Sequence, residues 1–171
     1  MSDSAEALHV LIVDDEQNIR EGSERILTRI GFKVSTAASG QKALELFQET
    51  NPSIVLLDLK MPGMDGMEVL KQIKKIDDST LVIVITGYAT VETAIQAMKQ
   101  GAYDFIAKPF EPDQLRIIVN RASEKIQLEM AAEKLTRDRQ RTLLDLGTEK
   151  SRLRTIIESL PNGVLVTNTS G

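Results

Sequence analysis

Cysteine and tryptophan are both absent from the 171 residues, and histidine occurs once, at His9. The lack of cysteine excludes disulfides, thiolate metal sites and cysteine nucleophiles, and leaves the compartment open. With aromatic residues at only 4%, the core has to be aliphatic. His9 lies inside the apolar run LHVLIV at 8–13, the setting of a structural histidine rather than of a phosphoryl donor. Long hydrophobic runs are missing as well: no stretch reaches the roughly 18 apolar residues that a transmembrane helix requires. The opening residues MSDSAE are polar and acidic, with no basic region leading into an apolar one, so no secretory signal is expected. A surplus of basic charge is the last absence. The formal net charge is -4, which argues against a nucleic-acid partner, because such binding neutralises phosphates with a basic face.

What is present is an ordinary soluble composition, 42% hydrophobic and 27% charged. The expectation is a cytoplasmic protein with neither a membrane nor a nucleic-acid partner. The length suits one domain plus a tail or linker. Through about residue 120, short apolar runs alternate with helical spacing. Strands are predicted at 8–13, 33–37, 53–57, 81–85 and 103–107, and helices at 17–31, 40–50, 65–76 and 91–100. Pro52 and the Pro62-Gly63 pair punctuate the pattern. Strands apolar at every position, with helices between them, imply a parallel sheet covered on both faces. Five such units predict an α/β fold with a doubly wound, five-stranded parallel sheet of the flavodoxin-like class, in the order 2-1-3-4-5.

In that class, sites form outside the carboxyl ends of the strands. Asp14, Asp15 and Glu16 follow the first strand, Asp58 the third, Thr86 the fourth, and Lys108-Pro109 the fifth. The fold would gather these groups into one crevice. Clustered carboxylates repel and do not all stay ionised without a cation. Their oxygens suit a hard divalent ion such as Mg2+, which binds through one or two carboxylates and phosphate oxygens. Lys108 adds a point charge and Thr86 a hydroxyl donor for a phosphoryl oxygen. A carboxylate in line with a held phosphoryl group is a competent nucleophile, giving an aspartyl phosphate.

The segments VLIVDDE (10–16), IVLLDLKMPGMDG (54–66), VIVITGYA (82–89) and GAYDFIAKPF (101–110) together resemble the receiver domain of two-component response regulators, over about residues 7–125. The stretch from Gly87 to Phe110 is most similar to receivers of the nitrogen-regulator type. The resemblance implies that Asp58 is the phospho-acceptor. It implies that Mg2+ or Mn2+ is bound by Asp15, Asp58 and the backbone carbonyl of Lys60, with Asp14 reaching the ion through water. Thr86 is implied as the switch hydroxyl, Lys108 as the phosphoryl-contacting lysine, and Phe105 as the aromatic whose rotamer follows Thr86. The Lys108–Pro109 bond is expected to be cis, a form nearly confined to X–Pro. Lys60 and Tyr88 match positions that tune phosphoryl lifetime, or are solvated surface side chains.

The tail divides differently. Residues 1–7 are expected to be disordered, 8–125 to form the receiver, 126–160 a helical linker, and 161–171 the truncated start of a PAS-like domain, resembled by SRLRTIIESLPNGVLVTNTSG. Leu115, Ile118, Val119, Ala122 and Ile126 are spaced to pack back on the domain. A heptad seam runs through Leu128, Ala132, Leu135, Leu146, Leu153, Ile156 and Leu160, interrupted at Arg139, Thr142 and Glu149. It fits a parallel dimeric coiled coil with a stutter, or a solvated single helix. The favoured reading is a homodimeric signalling module, not an enzyme, phosphorylated by a histidine kinase or phosphotransfer protein. Two alternatives stand beside it. One is a Mg-dependent phosphohydrolase with an aspartate nucleophile, although Lys60 occupies the place of its usual second acid. The other is the receiver of a transcription factor whose output domain lies outside this chain.

Overall fold

The computed structural model describes residues 7–87 and 89–159. Tyr88, Leu160, the segment 161–171 expected to begin a PAS-like domain and, but for Ala7, the start expected to be disordered therefore lie outside the described residues. In chain order the elements are β1 (His9–Val13), α1 (Gln17–Arg29), β2 (Lys33–Ala37), α2 (Gly40–Thr50), β3 (Ile54–Asp58), α3 (Gly66–Ile76), β4 (Leu81–Thr86), α4 (Val91–Lys99), β5 (Asp104–Ala107) and α5 (Pro112–Ser159).

The sheet is parallel throughout, in the order β2-β1-β3-β4-β5. Its three central strands are buried at every position, because the period-two alternation of side chains feeds two separate cores. Leu11, Val13, Val55 and Leu57 join Phe47 of α2 and Leu70 of α3 on one face. Val10, Ile12, Ile54 and Leu56 join Leu27 of α1 and Leu115 and Val119 of α5 on the other. The edge strands KVSTA and DFIA are only partly buried, as edges are.

Helix stops steer the chain into the next strand. After α1, Gly31 takes φ +98°, its N–H donates to the Thr28 carbonyl, and the N–H of Phe32 donates to Leu27. After α4, Gly101 at φ +94° and Ala102 repeat the pattern on Met98 and Ala97. Both are Schellman closures, in which the left-handed residue satisfies the last carbonyls of the helix. Thr90 and Thr93 form a reciprocal capping box that starts α4.

The strands are displaced slightly from their expected limits. β3 begins at Ile54 and β5 at Asp104, each one residue late, while β3 and β4 run one residue further, to Asp58 and Thr86. The polar residues that ended the apolar runs are thus the last rungs of the ladder rather than the first residues of loops.

The chain divides into two compact units between Gln127 and Leu128. In the first, Leu115, Val119, Ala122 and Ile126 of α5 are buried, and Ile118 packs beside them. In the second, every helical residue from 128 to 158 is exposed. Gly147 does not interrupt the helix.

Candidate functional site

Register places the polar strand ends side by side. Val13 of β1 pairs with Leu57, Asp58 pairs with Ile85, and Thr86 pairs with Ala107. One residue beyond each of the outer rungs stand Asp14 and Lys108. Two backbone bonds hold these extensions in line: Asp14 N–H donates to Ala37 at 3.1 Å, and Lys108 N–H donates to Thr86 at 2.9 Å. The Lys108–Pro109 peptide is cis.

Asp14 and Asp58 are 2% and 4% exposed, so each carboxylate needs partners. Each gives one oxygen to the amide two residues on: Glu16 N–H donates to Asp14 Oδ1 at 2.9 Å, and Lys60 N–H to Asp58 Oδ1 at 3.0 Å. The other oxygen of each accepts from Lys108. Its Nζ lies 2.7 Å from Asp14 Oδ2, 3.0 Å from Asp58 Oδ2 and 2.9 Å from Glu16 Oε1. Burial by itself would pull the Lys108 pKa down, but the hydrogen bonds to Asp14, Glu16 and Asp58 outweigh it and hold the ammonium well above its usual range. Burial pushes the Asp14 carboxyl up; the Lys108 and Glu16 N–H hydrogen bonds oppose this, while the charge of Asp58 adds to it.

Three carboxylates around one ammonium leave an excess of negative charge. Ligand oxygens of Asp14, Glu16 and Asp58 all lie within 4.8 Å of one another. An all-oxygen, net-anionic donor set of this kind fits a hard divalent cation. Asp15, expected as the direct ligand, is exposed and lies outside that group, whereas Asp14 and Asp58 are inside it. Lys60 is exposed beside Asp58. Thr86 is fully buried at the end of β4, and Phe105, half-buried in β5, packs on the core that contains Leu57 and Val84. Helix α3 starts tight against the site: a Cβ at Gly66 would run into the backbone of Asp58 and Leu59. His9 stands at the opposite end of β1, where its Nε2 is 2.9 Å from Ser35 Oγ and its Nδ1 is 3.3 Å from the Thr50 carbonyl. That is a structural position.

Two residues of this neighbourhood escaped the sequence reading in the roles they hold. Glu16 was visible as a third acid, and it is the N-cap of α1 without a side-chain capping bond, which leaves its carboxylate to Lys108. Arg20 carried no signal in the sequence, since a helical arginine reads as surface. Its Nη1 donates to the carbonyls of both Asp14 and Asp15, at 2.7 and 2.8 Å.

Residues 10–120 match the family model described as the response regulator receiver domain. The chain is 44% identical over 113 residues to regulatory protein AtoC of Escherichia coli, covering 66% of this chain and 24% of that protein. It is 38% identical over 112 residues to sporulation initiation phosphotransferase F of Bacillus subtilis, covering 66% of this chain and 90% of that one. The crystal structure of NtrX from Brucella abortus superposes with a TM-score of 0.71 at 37% identity, covering 76% of this chain and 30% of that one. The chain spans about a quarter of the length of the first curated relatives it matches.

Proposed function

The chain belongs to the response regulator receiver family, the phosphorylation-dependent switches of two-component systems, and from that premise we propose that Asp58 accepts the phosphoryl group. The observation that carries this reading is the polarity of the Asp58 carboxylate. One oxygen is pinned by the Lys60 amide and the other by Lys108, at the last rung of a central strand. In the transfer, an Asp58 oxygen attacks phosphorus. A P–O bond forms to Asp58 as the bond from phosphorus to the donor breaks, and the departing donor atom keeps the electron pair. Lys108 faces the developing phosphoryl charge, and the Thr86 hydroxyl donates to it when the switch is set. Phe105 follows Thr86, and Lys60 and Tyr88 tune the lifetime of the product.

Asp15, Asp58 and the Lys60 carbonyl would hold Mg2+ or Mn2+, with Asp14 acting through water and Glu16 a further oxygen within reach. Bound there, the ion supplies charge neutralisation for phosphoryl oxygens. The phosphodonor is a histidine kinase or phosphotransfer protein in the cytoplasm. The chain is a switch rather than a turnover enzyme, limited to self-phosphorylation from a small donor and slow loss of the group. No helix among the described residues is long and apolar enough to cross a membrane.

For output, α5 relays the state through a parallel homodimer to a PAS-like sensor or kinase module. This reading is supported by the exposed leucines at 128, 135, 146 and 153. A second reading, the receiver of a transcription factor, is favoured by the names of two relatives, regulatory protein AtoC and the DNA-binding transcriptional regulator NtrC of Klebsiella pneumoniae.

Intact-mass measurement after incubation with Mg2+ and a small acyl phosphate tests the acceptor. One added phosphoryl group is expected on the wild type and none on Asp58→Asn. Equal addition on the variant would refute the assignment.

A further inference from the structure

The turn that carries the acidic residues is braced from two sides. Inside, Asp14 Oδ1 accepts from the Glu16 amide. Outside, Arg20 reaches back from the first turn of α1, and its Nη1 donates to both the Asp14 and Asp15 carbonyls. Those carbonyls belong to two successive peptide planes. Fixing both planes fixes the direction in which the Asp15 side chain leaves the backbone between them, and, with the Asp14 N–H bond to Ala37 on the preceding plane, that of Asp14 as well. The usual alternative brace is missing, because Glu16, the N-cap of α1, makes no side-chain capping bond. Two carbonyl oxygens converging on one point also repel unless a donor sits between them. A guanidinium suits this place, since it stays charged and is planar, so its donors are pre-aimed.

We propose that Arg20 is a positioning residue for the divalent-cation site, acting through the backbone of Asp14 and Asp15 rather than by touching the ion. The inference rests on the site reading above. Outer partners that orient metal ligands are commonly worth 10- to 100-fold in metal affinity, so Arg20→Ala should weaken cation binding by about that factor. The sign is diagnostic. Arg20 carries positive charge beside a cation site, so if charge alone mattered, removing it would tighten binding.

The experiment uses the whole chain without phosphodonor. Mn2+ binding is read from the loss of the free-ion electron paramagnetic resonance signal, with Mg2+ as competitor. Wild type is compared with Arg20→Ala, Arg20→Lys and, as a charge control on the same helix, Arg25→Ala. Weakened binding in Arg20→Ala is expected, with partial recovery in Arg20→Lys and an unchanged or slightly tighter constant in Arg25→Ala. Cation-free unfolding midpoints are measured on the same samples. An Arg20→Ala affinity within twofold of wild type, or tighter, overturns the proposal. So does a loss of folding in both Arg20 variants, which would make the role structural. If wild type binds no cation or accepts no phosphoryl group on Asp58, the site reading itself fails. If it does both and only the Arg20 result is negative, the failure is confined to this inference.

Discussion

Leu115 and Leu135 belong to the same long helix, yet one is fully buried and the other 72% exposed. Both are leucines with the same intrinsic helix propensity, so propensity does not explain the contrast. In the first unit, the apolar stripe of α5 meets a sheet face built from Val10, Ile12, Ile54 and Leu56. In the second unit, the leucines meet water. Most helical stability in proteins comes from tertiary packing of an apolar face rather than from propensity. A stripe is therefore only an offer of contact, and what answers it decides its energetic value.

The largest expected effect tests that contrast directly. Leu115→Ala should destabilise the first unit by about 2–5 kcal/mol, the range for a buried leucine truncation. Leu135→Ala should leave the unfolding free energy of that unit, read by urea denaturation, within about 0.5 kcal/mol of wild type, as exposed positions do. In the proposed homodimer, Leu135→Ala should instead lower the solution mass measured by light scattering towards that of one chain. Equal denaturation effects from the two substitutions would break the comparison.

Ion pairs sharpen it at the next level. Lys108, whose side chain is 11% exposed, pairs with three carboxylates, whereas Arg154 and Glu158, 3.2 Å apart, are both exposed on the second unit. Lys108→Ala strands buried charge and should cost about 3 kcal/mol, read by chemical denaturation. Arg154→Ala should change the helix free energy, read from circular dichroism, by no more than about a few tenths of a kcal/mol, because surface pairs are screened and entropically costly.

The smallest effect concerns pH and again belongs to the first unit. Burial lowers the His9 pKa below 6.5, against the opposing Thr50 hydrogen bond and with the help of nearby Lys33. The unfolded chain thus takes up a proton that the folded chain resists. Stability should be unaffected by His9 above pH 6.5 and should decline as pH falls below it, until the folded-state pKa is reached. The slope of the denaturation midpoint between those limits should be shallower in His9→Asn; an unchanged slope would remove His9 from the acid response.

These contrasts also explain what could be read in the chain beforehand. Continuous apolar runs such as VLIV and IVLL announce buried parallel strands, because a strand covered on both faces needs apolar side chains at every position. The strand ends were legible for the same reason: Asp14, Asp58 and Thr86 interrupt runs that are otherwise uniform. The reach of Glu16 to Lys108, 92 residues away, depends on tertiary closure that local spacing does not encode. The Arg20 brace was hidden because its acceptors are backbone carbonyls, which every residue possesses. The apolar positions of α5 beyond Gln127 could be drawn from the sequence, but not their exposure, which depends on what the rest of the fold offers them.

Lys108 also imposes a rule of exchange. An ammonium has three protons, and here each already faces an acceptor, on Asp14, Glu16 and Asp58. A new oxygen arriving at Asp58 cannot simply be added; it has to displace one of these. Asp14 is buried and would be left without a counter-charge, whereas the Glu16 side chain is 60% exposed and can be handed to water with little loss. On the proposed acceptor role of Asp58, Glu16 is the partner of Lys108 whose release costs least, and so the one that would give up its place when the group arrives.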